Sequence, residues 1–153
     1  MREGFRTAIQ ILGQNPNFVL LSGDHGYGLF DEFRREFPGQ FINVGVAETN
    51  MVGLSAGLSR AGLSPIIYGL ASFIPSRVYE FLKLQIGLDS LPVLVVGDGG
   101  GLVYSTLGHS HQSLDDLALA TALPNFKVFS PSGDSEVFEI MMSPERRTSP
   151  TYL

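Results

Sequence analysis

The chain has 153 residues, a formal net charge of −5 at pH 7, 44% hydrophobic residues and only 16% charged residues. This length supports one domain with its own core, and the negative charge argues against nucleic acid or an acidic membrane as a partner. The sequence contains no cysteine, which excludes disulfides and thiolate metal sites. No apolar run approaches the roughly 20 residues of a membrane span, so we expect a soluble, cytoplasmic protein. The low charged fraction indicates that part of its surface is buried against another chain or domain.

The predicted elements alternate between helices and strands. Apolar residues at helical spacing predict a first helix over residues 5–12, which Gly13 and Pro16 end. Apolar runs predict strands at residues 18–21, 41–44, 65–70, 92–96, 126–129 and 151–153. Further helices are predicted at residues 29–37, 48–62, 76–84, 113–124 and 134–142. Ser113, with Asp116 three residues later, is the predicted N-cap of the fourth of these.

The strands are apolar on both faces, which is typical of a parallel sheet covered by helices on both sides. We therefore predict a three-layer α/β/α fold with a mostly parallel sheet of about six strands. Residues 1–153 are predicted to form one domain. Because the chain stops inside a predicted strand, we expect the natural protein to continue beyond it.

In such sheets, ligands bind beyond the carboxyl ends of the strands. That rule selects five loops, at residues 22–27, 45–49, 71–76, 97–112 and 130–134. These loops contain nearly all residues with chemically capable side chains: Asp24, His25, Glu48, Phe73, Asp98, His109 and His111.

Each candidate also has a purely structural interpretation. Glu48 could simply complement the dipole of the helix that it begins, which contributes about 0.3–1 kcal/mol. Phe73 could be a core residue, and Asp24 a turn residue. His109 and His111 could bind a metal, but the pair has no third ligand nearby, so we predict no metal site.

One motif match is interpreted as accidental. Gly97-Asp98-Gly99 and the later Asn125 fit the spacing of the motif in thiamine enzymes whose aspartate and asparagine bind Mg²⁺. Here, however, Asn125 lies in a turn that leads into a predicted strand, and a long loop and a helix separate it from Asp98.

Three segments together resemble a known family. The segment GVAETNMVG at residues 45–53 closely resembles the G-V-A-E-x-N-M-x-G signature of transketolase-like pyrimidine-binding domains. The segment ASF at residues 71–73, followed by Arg77 and Tyr79, is the second match, and GHSHQS at residues 108–113 is the third. The matches run in family order over about residues 22–136. They are most similar to split transketolases, whose halves are separate chains, and this chain resembles the first domain of the C-terminal half.

The resemblance implies that this domain binds the pyrimidine end of thiamine diphosphate. Glu48 matches the glutamate that hydrogen-bonds N1′ of the aminopyrimidine and gives access to the 4′-imino form, which removes the proton from C2 of the thiazolium ring. A carboxylate can share a proton with a ring nitrogen, and such help accelerates reactions roughly 10²–10⁴-fold. Phe73 matches the aromatic residue that stacks on the pyrimidine, and Tyr79 is a weaker candidate for the same pocket.

The same resemblance assigns the remaining candidates. His111 matches a histidine that contacts the sugar substrate, so Glu48 and His111 are the predicted catalytic residues. Asp24 matches an acid in the first βα loop of the family and is a further cofactor-binding candidate. His109 stands where proline or a small residue is usual, and His25 has no firm equivalent; both are candidate substrate contacts.

The resemblance further implies that the diphosphate and Mg²⁺ are bound by another domain, on an N-terminal partner chain, within a homodimer or heterotetramer. This diphosphate-binding domain and the C-terminal domain are absent from the chain. The expected activity is transfer of a two-carbon ketol unit between sugars or sugar phosphates, only with that partner. On the helix after Glu48, a face of Gly53, Ala56 and Gly57 suits either a subunit interface or packing on its own sheet.

Two alternatives to this function stay open. A 1-deoxyxylulose-5-phosphate synthase or the β component of a 2-oxoacid dehydrogenase would use the same Glu48, although the pattern at residues 97–111 favours a split transketolase. A non-catalytic interaction domain of the same fold is the other alternative. The presence of Glu48, Phe73 and His111 together argues against it.

Overall fold

A single parallel sheet of six strands organises the chain, as a computed structural model of residues 1–153 shows. The strands are β1 (Phe18–Ser22), β2 (Phe41–Asn43), β3 (Ser64–Leu70), β4 (Leu94–Asp98), β5 (Lys127–Val128) and β6 (Thr151–Tyr152). Their order across the sheet is β2-β1-β3-β4-β6-β5, and every neighbouring pair is parallel.

Seven α-helices accompany these strands; the first precedes β1, and the others lie between successive strands. They are α1 (Arg2–Gly13), α2 (Asp31–Glu36), α3 (Glu48–Arg60), α4 (Ile74–Arg77), α5 (Tyr79–Phe81), α6 (Asp116–Thr121) and α7 (Asp134–Met142). A π-helical segment, Leu82–Gly87, continues α5, and 3₁₀ turns lie at Pro38–Gln40, Ser105–Leu107, His109–His111 and Pro144–Arg147.

The helices cover both faces of the sheet because each inner strand is apolar on both faces. Alternate residues of a strand point to opposite faces: in β1, Phe18 and Leu20 join one buried cluster, whereas Val19 and Leu21 join the other. The first cluster includes residues of α1, α2 and α7, and the second includes residues of α3, α4 and α6. The predicted three-layer α/β/α fold is therefore confirmed, and its sheet is entirely parallel.

The predicted strand 92–96 lies two residues too early. The observed β4 begins at Leu94 and ends at Asp98. Pro92 has no N–H to donate to a neighbouring strand, whereas Gly97 and Asp98 align with Gly69 and Leu70 of β3. This shift makes Asp98 the last residue of a strand, at the carboxyl edge of the sheet.

The prediction of one helix over residues 76–84 is wrong. Pro75 lies in the first turn of α4, where its missing N–H costs nothing, so the helix begins earlier than predicted. Val78 then leaves the helical backbone with φ −122° and ψ 20°, which separates α4 from α5. The break places Arg77 and Phe81 on different short helices beside the start of α3.

Ser113 is not the N-cap that the sequence predicted. It forms an isolated antiparallel bridge with Gly101, with N–O distances of 2.7 and 2.9 Å, and α6 begins only at Asp116. The bridge closes the long loop after β4 at its base, and this long-range contact replaces the local capping interaction.

No helix in the structure combines the length and the apolar character that crossing a bilayer requires.

Candidate active site

Glu48 lies at the carboxyl edge of the sheet, where a tight turn joins β2 to α3. Gly45 has a φ of 74°, in the left-handed region that glycine enters at no steric cost, and its N–H donates to Asn43 Oδ1 at 2.9 Å. The turn brings Glu48 to the first position of α3, where it is only 5% exposed. A carboxylate buried to this extent requires a partner of opposite charge or hydrogen-bond donors.

Arg77 is that partner. Its Nη1 donates to both carboxylate oxygens of Glu48 at 3.0 Å, and its guanidinium carbon lies 4.4 Å from the centre of the Phe73 ring. Phe73 in turn meets His111 edge-to-face, with ring centres 5.3 Å apart. Three sequence-predicted residues, Glu48, Phe73 and His111, therefore form one continuous row with Arg77 between the first two.

A groove of about 630 Å³ opens beside this row. The charged residues that line the groove are Glu48 and Arg77. Gly53 and Leu54 of α3 and the apolar Phe81 also line it. The groove thus offers a buried carboxylate next to apolar surface, which suits a flat heterocycle with a polar edge.

A second polar cluster lies at the ends of β1 and β4. His25 Nε2 and Asp98 Oδ2 are 2.9 Å apart, and Tyr104 Oη donates to the same oxygen at 2.8 Å. The imidazole stacks on Tyr68 with ring centres 5.7 Å apart. An ionised carboxylate can only accept, so Nε2 carries the hydrogen and Nδ1 makes no hydrogen bond in the chain.

The cluster shifts the acidity of its members. Burial by itself would raise the pKa of Asp98, but the hydrogen bonds from His25 and Tyr104, together with nearby positive charge, outweigh burial and lower it. Burial and the hydrogen bond to Asp98 raise the pKa of Tyr104 to about 12. Burial, with the charge of Asp98 second, also raises the pKa of Tyr68. Asp98 is therefore the anion that orients His25.

The other predicted residues lie at the edge of the site or outside it. Asp24 is exposed, has a positive φ of 60° and accepts from Asn43 Nδ2 at 2.9 Å, as a turn residue does. His109 is exposed on the 3₁₀ turn that also carries His111. Tyr79 packs against the second core cluster, and Phe81 rather than Tyr79 lines the groove.

Asp98 and Asn125 do not share a site. Asn125 Nδ2 donates to the Gly87 carbonyl at 2.9 Å just before β5 begins, whereas Asp98 ends β4. In parallel strands these positions are at opposite edges of the sheet. This geometry agrees with the interpretation of the magnesium-motif match as accidental.

Sequence reasoning missed two roles. The sequence places Arg77 in a matched segment without a role, and it places Asp98 among the chemically capable loop residues without a partner. Arg77 lies 29 residues from Glu48, and Asp98 lies 73 residues from His25, so no local spacing links either pair.

Comparison with known proteins decides the family. The sequence model described as "Transketolase, pyrimidine binding domain" matches residues 1–153. The chain belongs to the transketolase pyrimidine-binding domain family. This result confirms the resemblance drawn from residues 45–53, 71–79 and 108–113.

Curated relatives of this pyrimidine-binding domain include components of split transketolases. It is 30% identical over its whole length to a protein of Methanocaldococcus jannaschii described as a transketolase C-terminal section, of which it covers 49%. It is 32% identical over 82% of its length to one of the subunits of the apulose-4-phosphate transketolase of Phocaeicola vulgatus, of which it covers 40%. It is also 30% identical over 97% of its length to a 1-deoxy-D-xylulose-5-phosphate synthase of Synechococcus, of which it covers 23%. The domain therefore spans about half the length of these relatives or less.

Solved structures share its fold. One, described as a split-gene transketolase in an inactive β4 tetramer, is 34% identical with a TM-score of 0.86, and the match covers 99% of this chain and 49% of the other. A transketolase from Campylobacter jejuni gives a TM-score of 0.87 at 19% identity, over 99% of this chain and 24% of the other, which supports the fold alone.

Proposed function

We propose that the chain is the pyrimidine-binding part of a thiamine-diphosphate-dependent transketolase that moves a two-carbon ketol unit between sugars or sugar phosphates. The observation that carries this proposal is the environment of Glu48. Its carboxylate is buried at the carboxyl edge of the sheet, opens onto a groove and lies in one row with Phe73 and His111.

The donor set fits an aminopyrimidine. Arg77 presents to Glu48 a planar cation that donates hydrogen bonds while its flat face covers Phe73. A protonated aminopyrimidine offers the same combination of a flat face and an N–H edge. This arrangement supports the binding of a planar group that donates to Glu48 and stacks on Phe73.

Thiamine diphosphate would supply a thiazolium carbon that becomes a nucleophile once its proton is lost. Glu48 would hold a proton shared with the pyrimidine ring, and its burial keeps competing water away from that hydrogen bond. Phe73 would orient the ring by stacking. His111 is placed beside Phe73, so its ring can meet a substrate hydroxyl, with Ser110 Oγ 2.9 Å from Nδ1 to fix its orientation.

His25 is a further substrate contact in this proposal. Asp98 fixes its Nε2 side, so Nδ1 is left to bind a hydroxyl group. His109, Asp24 and Tyr79 have weaker support because no hydrogen bond or aromatic pair joins them to Glu48 or Phe73.

The partner is proposed to be a separate chain that holds the diphosphate and Mg²⁺. The names of two relatives, one a C-terminal section and the other a single subunit of a transketolase, support a divided enzyme. The outward face of α3 supports association: Gly53 and Gly57 are exposed, and a Cβ added at either would meet no atom within 4 Å. Ala56, by contrast, is buried in the second core cluster, so packing on the chain's own sheet accounts for Ala56 and the proposed interface concerns Gly53 and Gly57.

The test is Glu48→Gln in the enzyme reconstituted with its N-terminal partner chain, thiamine diphosphate and Mg²⁺. The amide keeps the shape but cannot share a proton in the same way, so ketol transfer should fall roughly 10²–10⁴-fold. Glu32→Gln is the matched control, because Glu32 is an exposed first-turn acid of α2. Near-normal turnover of Glu48→Gln, with unchanged folding by circular dichroism, would contradict the proposal.

The similarity to 1-deoxy-D-xylulose-5-phosphate synthases supports a second candidate reaction. It would use Glu48 in the same way, so the variant does not separate the two. The product does: formation of 1-deoxy-D-xylulose 5-phosphate by the reconstituted enzyme would replace the transketolase assignment while keeping the role of Glu48.

A further inference from the structure

A cavity of about 350 Å³ lies at the edge of the sheet opposite Glu48. Phe18 at the start of β1, Ser64 at the start of β3 and Pro92 just before β4 contribute to its wall. In a parallel sheet this is the amino edge, so the cavity is separate from the candidate active site.

Arg146 lines this cavity and is a buried cation without an anion. The residue is 3% exposed. Its Nε donates to the Met141 carbonyl at 2.7 Å and its Nη1 to Ser64 Oγ at 3.1 Å, while Nη2 makes no hydrogen bond in the chain. None of the five ion pairs of the structure includes Arg146. Burial of a charge without a partner is costly.

The surroundings add positive charge instead of compensating it. Burial, and second the charge of Arg147, lower the pKa of Arg146 to about 10. The side chain therefore remains a cation at neutral pH, and Arg147 lines the same cavity.

Ser59 provides an independent observation. Its hydroxyl oxygen is buried and has no hydrogen-bond partner, and the residue lines the same cavity from the last turn of α3. Ser59 and Arg146 both line this cavity and both have an unused donor, and hydroxyl and guanidinium donors are groups that bind an oxyanion.

We infer that this cavity binds a small oxyanion, a phosphate or carboxylate group carried on a short apolar body. Arg146 supplies the charge and Ser59 a neutral donor. Ile11, Leu63 and Pro92 form the apolar wall that would contact the body of the ligand. The volume lies near the lower end of the roughly 300–1,000 Å³ of small-molecule sites, so the ligand is smaller than a nucleotide.

The inference does not depend on the proposed function, because no residue of the groove beside Glu48 lines this cavity. The helix α3 contributes to both sites, with Glu48 at its first turn and Ser59 at its last. Binding at the amino edge is therefore measured separately from cofactor binding.

The test titrates the 153-residue chain with inorganic phosphate and with propyl phosphate by isothermal calorimetry, using propanol as the uncharged comparison. Both phosphates should bind, propyl phosphate more tightly, and propanol should not. Arg146→Gln should weaken phosphate binding by about tenfold or more, because a hydrogen bond to a charged group is stronger than one between neutral groups. Arg35→Gln is the control with the same charge change, because Arg35 is exposed on α2 away from the cavity.

Ser59→Ala keeps the test decisive even if Arg146→Gln fails to fold. Ser59 Oγ makes no hydrogen bond in the chain, so its removal should leave stability unchanged and weaken phosphate binding several-fold. The inference would be overturned if Ser59→Ala bound phosphate as tightly as the wild type. It would also be overturned if Arg146→Gln, like Glu48→Gln, kept the phosphate affinity of the wild type. The absence of binding by either phosphate would overturn it as well.

Discussion

At the scale of single residues, Glu48 shows how one position combines two roles. It is the first residue of α3, as expected for an acid that complements a helix dipole. It is also buried and bonded through both oxygens to Arg77, which a dipole role alone does not require. Both facts are structural, so the proposed role of Glu48 in cofactor binding depends on the test with the reconstituted enzyme.

The contact between Glu48 and Arg77 should be measurable as a coupling energy. A double-mutant cycle with Glu48→Gln and Arg77→Gln, followed by urea unfolding, should give about 1 kcal/mol, because hydrogen bonds between charged groups are strong but Arg77 is half-exposed to screening solvent. The exposed pair Arg6–Glu3 is the comparison and should give a smaller value. A coupling for Glu48–Arg77 no larger than that of Arg6–Glu3 would show that the contact is not formed in solution.

The cluster around Asp98 predicts a dependence of stability on pH. Its pKa is lowered on folding, so its contribution is fully present above the ordinary aspartate pKa of about 3.9 and is lost as pH falls through the lower folded value. Asp98→Asn should therefore destabilise the protein at pH 7 and flatten the loss of stability in acid. Denaturant unfolding at several pH values between about 2 and 7 measures this, with exposed Asp89→Asn as control. If the two variants gave parallel profiles, His25 and Tyr104 would not stabilise the ionised form of Asp98.

At the scale of elements, two glycines in α3 lower the stability of the helix but leave its exposed surface free of side chains. Glycine in a helix interior costs about 1 kcal/mol relative to alanine, yet Gly53 and Gly57 are exposed positions where a Cβ would meet nothing. Within this chain nothing requires glycine there. A smooth helix surface that approaches another chain closely would require it.

These two glycines give opposite predictions for folding and for association. Gly53→Ala and Gly57→Ala should each stabilise the isolated chain by up to about 1 kcal/mol, measured by urea unfolding. Gly57→Leu should weaken self-association or partner binding, measured by sedimentation velocity. Ala118→Leu on the exposed face of α6 is the control. Unchanged association in Gly57→Leu would remove this face of α3 from the interface.

Elements were predictable where the pattern is local. The strands and the order of helices follow from apolar runs and from periodicity, because every inner strand is covered on both faces. The break at Val78 and the bridge between Gly101 and Ser113 depend on contacts between distant segments, and local patterns predicted a continuous helix and an N-cap instead.

The residues of the candidate site also divide into some that the sequence predicted and some that it did not. Glu48, Phe73 and His111 belong to segments that match a family, and the structure brings them into one row. The partners Arg77 and Asp98 were not predicted in those roles, because their contacts join segments that are neighbours only in the folded sheet. Local spacing in a single sequence contains no signal for such pairs.

At the scale of the whole molecule, the groove beside Glu48 has few groups that could bind an anion. It offers a carboxylate and apolar walls for a heterocycle, but Arg77 is its only basic side chain and is already paired with Glu48. The structure contains no group of three or more metal-ligating side chains. The proposed function accordingly assigns the diphosphate and its Mg²⁺ to the partner chain.

The proposed division of the cofactor site between two chains predicts how affinity responds to the diphosphate. The chain alone should bind thiamine and thiamine diphosphate with similar, weak affinity, because only the pyrimidine end is recognised. With the N-terminal partner chain and Mg²⁺ present, the diphosphate should add about 10²-fold or more, since two charge-assisted contacts of roughly 1.5–3 kcal/mol each suffice. Calorimetric titration of both ligands, with and without the partner, measures the two ratios. A large preference for thiamine diphosphate on this chain alone would mean that the chain itself binds the diphosphate, and the division of the cofactor site between two chains would be wrong.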